Sequence, residues 1–292
     1  MGTRSSVGRH PRRRAHRRLG VALLGVSAAA AFLGAGTAAA DPVDDVANAL
    51  TAQLPNSSAD IGGLQDLLPN IPGLGSLLRP NGAPGTTRCT SVIQIGDSTS
   101  VGVDDASRVP AATDTLSAQY KRVGATTVDL DADGGRSIVE KLNGKPNADD
   151  AVAAHLARGE RGCWVIAMGV NDAANIAVGS SVDADARIDR IMSQLQGQPV
   201  LWPTVTTANP GNPAYNAAAM NSFNNALRRA SVRYANLAVY DWAAVAQPSM
   251  FVDGIHYTAA GSAERNRRFA DALATAFPPG TGATPTLKWV AG

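Results

Sequence analysis

Between residues 89 and 277, short apolar runs alternate with stretches of helical periodicity. Five runs read as strands, at 91–95 (SVIQI), 126–130 (TTVDL), 164–168 (WVIAM), 199–203 (PVLWP) and 237–241 (LAVYD). Apolar positions recur on one helical face at Ile188, Met192 and Leu195, at Met220, Phe223, Leu227, Ala230 and Tyr234, and at Phe269, Leu273 and Phe277. Near-continuous apolar strands separated by amphipathic helices predict a mainly parallel, five-stranded sheet covered on both faces, a doubly wound α/β/α fold of three layers. Ligands in such sheets bind beyond the carboxyl ends of the strands, so those ends are where chemistry is expected.

The flanks break this pattern. Residues 41–88 hold short apolar clusters repeatedly interrupted by proline, too broken for a strand or a long helix, and read as a linker. Residues 278–292 (PPGTGATPTLKWVAG) read as a flexible tail. Residues 1–18 are basic, 19–37 are apolar without charge, and Ala38-Ala39-Ala40 precedes Asp41-Pro42, the pattern of a secretory signal cleaved after Ala40. An uncleaved anchor is the rival reading, against which the Ala/Gly content and the small-residue site argue. No other segment is long and apolar enough to span a membrane.

Composition then narrows the class. With 292 residues, 45% of them hydrophobic, the chain has enough apolar material for one medium domain and is neither a disulfide miniprotein nor a disordered chain. Its formal charge of +2 conceals an asymmetry, because Arg4, Arg9, Arg12, Arg13, Arg14, Arg17 and Arg18 all lie in the leader. Without those seven, 19 basic residues face 24 acidic ones, and the mature protein is mildly acidic. A nucleic-acid partner is therefore not expected. The expected product is a monomer in the cell envelope or the medium.

Four strand ends carry reactive groups. Gly96-Asp97-Ser98-Thr99-Ser100 follows the first strand, Asp133-Gly134-Gly135-Arg136-Ser137 the second, Gly169-Val170-Asn171-Asp172 the third, and Asp253-Gly254-Ile255-His256 the fifth. Acyl transfer needs a nucleophile, a base, a group that orients the base and donors for an oxyanion, and this rim offers all four. Of four histidines, His10 and His16 leave with the signal. His155 sits in a helical stretch away from any strand end and reads as a surface or packing residue, which leaves His256 as the base. The nucleophile elbow of ordinary α/β-hydrolases requires a second glycine where this chain has Ser100.

These four blocks resemble the SGNH (GDSL-like) hydrolases, in the manner of an exported, actinobacterial-type member, over the core from Cys89 to Phe277. Gly96-Asp97-Ser98 matches the first block, Gly135 the second, Gly169-x-Asn171-Asp172 the third and Asp253-x-x-His256 the fifth. The resemblance implies a flavodoxin-like sheet and a triad of Ser98 as nucleophile, His256 as base and Asp253 as its orienting partner. It also implies an oxyanion hole of the Ser98 and Gly135 N–H groups and the Asn171 side chain. Thr99 stands where the longer GDSL pattern has leucine, a position read as packing. The family topology makes the first and third strands neighbours, so in an oxidising compartment Cys89 and Cys163 are expected to form a structural disulfide.

One pattern competes. Asp129, Asp131, Asp133, Gly134 and Glu140 match the spacing of an EF-hand calcium loop. A strand rather than a helix precedes them and Arg136 stands where such loops carry an apolar residue, so an acidic turn is expected, with no metal and no cofactor. Trp202, Trp242, Phe251 and Tyr257 are candidates for an acyl or sugar subsite, core packing being the more ordinary reading. The function expected is an exported serine esterase acting on short acyl esters of envelope carbohydrate or lipid. An acyltransferase to sugar hydroxyls and a non-catalytic binding module are the alternatives.

Overall fold

The computed structural model describes residues 85–292. The signal expected at 1–40 and the linker expected from residue 41, as far as residue 84, lie outside the described residues. The predicted strands are present as β1 (Ser91–Gly96), β2 (Thr127–Ala132), β3 (Cys163–Ala167), β4 (Val200–Pro203) and β5 (Leu237–Tyr240). They are joined by helices α1 (Leu116–Arg122), α2 (Ala148–Ala157), α3 (Val170–Ala177), α4 (Ala184–Gln194), α5 (Ala217–Arg233) and α6 (Ala259–Ala276). All strands run parallel, in the order β2-β1-β3-β4-β5 and then a sixth strand, β6 (Trp289–Val290).

That sixth strand corrects both the five-stranded expectation and the reading of 278–292 as a flexible tail. The Val239 and Asp241 N–H groups donate to Lys288 and Val290 carbonyls at 2.9 Å, and Lys288 Nζ donates to the Tyr234 and Ala235 carbonyls at 2.8 and 2.6 Å. Val290 is buried, and the Arg228 guanidinium lies 3.8 Å above the Trp289 ring. Two apolar residues on opposite faces of an open sheet edge thus outweigh a Pro/Gly-rich composition that favours disorder.

Burial follows the two-residue period of a strand. Ile93, Ile95, Trp164, Ile166, Val200, Trp202, Leu237 and Val239 point to one face, under α2, α3, α4 and α5. Val92, Val165, Leu201, Ala238 and Tyr240 point to the other, under α1 and α6. Trp164, Trp202, Phe223 and Phe269 are almost wholly buried, each contributing about 2–3 kcal/mol by removal of apolar surface from water. Caps fix the helix starts: Asn147, Asp183, Asn216 and Thr258 each accept a hydrogen bond from a first-turn N–H.

The chain leaves β1 toward one edge, returns, and continues on the other side of β1 through β3. In sheets of this kind ligands bind at the carboxyl ends of the strands where the order reverses, here β1 and β3. Register keeps those ends level, with Gly96 opposite both Ala132 and Ala167. At the other end of the sheet, Val92 pairs with Cys163, and Cys89 is joined to Cys163 with their Cα atoms 5.6 Å apart, as expected.

Candidate active site

Ser98 lies in the turn that leaves β1. The preceding Asp97 is buried and receives hydrogen bonds at Oδ1 from the Thr99 N–H (2.9 Å) and the Thr99 hydroxyl (2.7 Å). Burial nevertheless holds its carboxyl above the usual range, against the lowering effect of those bonds and of Arg265. Thr99 is thus more than the packing position the sequence suggested, since its hydroxyl closes the turn that presents Ser98. Behind it, Arg265 is buried, donates to Ser100 Oγ at 3.1 Å and lies 4.3 Å from the Phe269 ring centroid.

His256 reaches Ser98 across 158 residues of sequence, with Nε2 2.9 Å from Ser98 Oγ. Its Nδ1 lies 2.7 Å from Asp253 Oδ2. The other Asp253 oxygen accepts the Ile255 and His256 N–H groups at 2.9 and 2.7 Å, so a single carboxylate folds the loop and orients the ring. Partial desolvation raises the Asp253 pKa, but the imidazole and these two N–H groups outweigh it and hold the carboxyl well below the usual range. Two residues after His256, Thr258 caps α6, which anchors the loop to a long helix.

Gly135 occupies the turn after β2 at φ +70°, where an L side chain is strained, and a Cβ there would lie 2.4 Å from Leu142 Cδ2. The turn is stapled from beneath by Arg136, whose guanidinium donates to the Gly96 carbonyl (3.3 Å), the Asp131 carbonyl (2.8 Å) and the Asp131 carboxylate (2.8 Å). Asn171 opens α3, and its Nδ2 donates to the Arg136 carbonyl at 2.8 Å. Asp172 Oδ1 accepts the Ile138 N–H and Arg187 Nη1, both at 2.8 Å. Burial pushes the Asp172 carboxyl up to about 6 despite those donors. Arg187, wholly buried, also grips Glu140 with both terminal nitrogens and donates to the Val182 carbonyl at 2.9 Å.

The structure therefore brings Ser98, Asp253 and His256 into one hydrogen-bonded chain and sets Gly135 and Asn171 on the adjoining strand ends. It disperses the acidic pattern. Asp131 pairs with Arg136 and His155, Asp133 with Lys145, and Glu140 with Arg187, in place of the solvated turn expected. His155 is buried, edge-on to Trp164 and bonded to Glu160, a satisfied packing residue. Trp202, Trp242 and Tyr257 belong to the core, while Phe251 is half-buried and lies against Tyr257 at 4.7 Å between centroids.

Tyr215 escaped the sequence reading. It follows β4, the one predicted strand end without a recognised block, and its hydroxyl donates to Asn171 Oδ1 at 2.9 Å. A hollow of about 20 Å³ lies among Thr99, Val170, Trp242, Tyr257, Arg265 and Phe269 and holds none of the site residues. A larger cleft, of about 390 Å³, lies at the opposite end of the sheet against Arg88, Cys89, Cys163 and Gln198 and holds none of the site residues.

No curated protein is a significant match by sequence. Similar solved structures include the C-terminal catalytic domain of a Streptococcus pneumoniae peptidoglycan O-acetyltransferase, 18% identical, with a TM-score of 0.47 over 64% of this chain and 92% of that one. A carbohydrate acetylesterase family member from Sinorhizobium meliloti is 18% identical, with a TM-score of 0.48 over 61% of this chain and 94% of that one. An M. smegmatis aryl esterase is 16% identical, with a TM-score of 0.47 over 62% of this chain and 97% of that one. The family profile of GDSL-like lipases/acylhydrolases matches residues 95–264, from the last residues of β1 through the Asp253–His256 loop into α6, and the chain belongs to that family, the SGNH hydrolases.

Proposed function

We propose that this protein is an exported serine esterase that hydrolyses short-chain acyl esters, of the acetyl kind, on envelope carbohydrate or lipid. The observation that carries the reading is the continuous path from Ser98 Oγ through the His256 ring to Asp253, with contacts of 2.9 and 2.7 Å. Ser98 Oγ attacks the ester carbonyl while His256 Nε2 takes its proton, and Asp253 stabilises the imidazolium that forms. The tetrahedral oxyanion is met by the Ser98 and Gly135 N–H groups and the second Nδ2 hydrogen of Asn171. Collapse expels the alcohol, which takes the proton from His256, and leaves an acyl-enzyme. A water molecule, deprotonated by the same ring, attacks that ester and releases the acid.

Short acyl groups are favoured by the low aromatic content, 5%, and by the lack of a long apolar segment between the site blocks that could build a deep acyl pocket. The disulfide suits an oxidising compartment, in keeping with the signal-like leader. Hydrolysis and transfer share the acyl-enzyme and differ in which nucleophile reaches it.

The test is turnover of p-nitrophenyl acetate, butyrate and octanoate, with and without a chito-oligosaccharide acceptor, by the wild type and Ser98→Ala. We expect acetate to be preferred, octanoate to be poor, and Ser98→Ala to lower kcat by at least about 10⁴-fold. Acylated sugar as the main product would make the protein a transferase. Absence of Ser98-dependent turnover, with no labelling of Ser98 by a fluorophosphonate, would leave a binding module.

A further inference from the structure

The loop after β4, residues 204–216, touches both halves of the site. On the base side, the Ala208 N–H donates to the Gly254 carbonyl at 2.8 Å. Gly254 adopts φ +85°, and a Cβ there would lie 2.5 Å from the Ala208 carbonyl oxygen and 2.8 Å from Pro210 N, so glycine alone lets the triad loop rest on this strap. On the oxyanion side, a single 3₁₀ turn (Pro213–Tyr215), capped by Asn212, turns Tyr215 back toward α3. Thr207 Oγ1 donates to the Tyr215 carbonyl at 2.7 Å and ties the two ends of the strap together.

Asn171 is held at both atoms of its amide. Nδ2 donates to the Arg136 carbonyl at 2.8 Å, and Oδ1 accepts from the Tyr215 hydroxyl at 2.9 Å. A planar amide fixed at both ends has one direction left for its remaining N–H. Rotation by 180° would set Oδ1 against the Arg136 carbonyl, two acceptors face to face. The Tyr215 hydroxyl is half-buried, and burial together with Asp97 raises its pKa above the usual phenol value, so it remains a donor.

We propose that Tyr215 is a positioning residue for this site, its hydroxyl locking the Asn171 amide so that the free N–H points at the developing oxyanion. The inference rests on the acyl-transfer reading above. It assigns no direct role to Tyr215 in proton transfer: the tyrosine acts through Asn171, whereas the base loop takes only backbone support from the same strap. Preorganised donors matter most where negative charge develops, so the loss falls on the chemical step rather than on substrate binding.

The test is a double-mutant cycle with Tyr215→Phe and Asn171→Ala on p-nitrophenyl acetate, each rate normalised to the folded fraction titrated by fluorophosphonate labelling of Ser98. Tyr215→Phe is expected to lower kcat about three- to tenfold, the weight of one neutral hydrogen bond, with KM and the acidic limb of the pH profile unmoved. Asn171→Ala is expected to lower kcat about 10²–10³-fold. In the Asn171→Ala background, Tyr215→Phe is expected to cost nothing further. An unchanged kcat in Tyr215→Phe, or an equal loss in both backgrounds, would overturn the assignment while leaving the esterase reading intact. A wild type without Ser98-dependent turnover would overturn both.

Discussion

At the scale of single residues, Asp253 carries two tasks with one carboxylate, because Oδ1 holds the loop N–H groups and Oδ2 holds His256 Nδ1. Asp253→Asn keeps the shape and reverses the polarity of one contact: an amide N–H facing Nδ1 forces the proton onto Nε2, where the Ser98 proton must go. We expect kcat to fall about 10³–10⁴-fold with the fold intact. In the wild type the base must be unprotonated to accept the Ser98 proton, so kcat/KM should be lower at acid pH than at neutral pH. Asp253 adds no second limb, since its pKa lies well below the usual carboxylate range and it is ionised throughout. A profile measured from about pH 4 to 9 that stays flat at the acid end would sink the histidine base. The placing of Ser98, Gly135, Asn171, Asp253 and His256 on one rim could be anticipated because each sits in a short block at a strand end. That of Tyr215 could not, because what selects it is a contact with a residue 44 positions away, and nothing in Asn212-Pro213-Ala214-Tyr215 announces more than a capped turn.

At the scale of elements, the proposed oxyanion role of Gly135 and Asn171 requires a fixed spacing between the turn after β2 and the start of α3. Arg187 from α4 supplies that brace, bridging Asp172 of α3 and Glu140 of the β2–α2 connection. Its partners respond to pH in opposite senses. Desolvation raises the Glu140 pKa, but hydrogen bonds from Arg187, Ser137 and Ser180 outweigh it and leave the folded value below the unperturbed 4.5. Stability from that pairing is complete above pH 4.5 and is lost as pH falls through the lower folded value. Asp172, pushed up to about 6, keeps a proton that the unfolded chain releases, so its contribution falls as pH rises from 3.8 through that window. Glu140→Gln isolates the first effect. At neutral pH the variant should be less stable by about 2 kcal/mol, the loss of charge-assisted bonds to a buried guanidinium, and the gap should start to narrow below pH 4.5 and shrink further as pH falls. Denaturant melts of both proteins across that range check it, and a gap independent of pH would refute the assignment. The sequence showed Glu140 as the last acid of a calcium-like spacing. Only the fold, by putting Arg187 beneath it, shows that the carboxylate serves a brace.

At the scale of the whole molecule, chemistry and covalent reinforcement occupy opposite ends of one parallel sheet. The strand order reverses between β1 and β3, whose carboxyl ends carry the candidate site, and the Cys89–Cys163 bond joins the chain just before β1 to the start of β3 at their amino ends. Alternation of apolar runs foretold this sheet, since β1 to β5 bury nearly every residue except those of the edge strand β2. It did not foretell β6, whose two residues are too few for a periodicity and gain their order from β5. The separation of the two ends makes a prediction about the disulfide. Its cysteines are 74 residues apart, so opening it frees a long loop in the unfolded chain and should lower stability by about 3–5 kcal/mol. That is a large share of the ~5–15 kcal/mol that holds a typical domain together. Ser98 and His256 lie a full strand length away, and β1 and β3 stay paired by their own ladder. Cys89→Ala/Cys163→Ala should therefore melt at markedly lower denaturant concentration while kcat per folded molecule, counted by fluorophosphonate titration, stays within about twofold of wild type. A fall in kcat without a fall in stability would show instead that the bond holds the candidate site in shape.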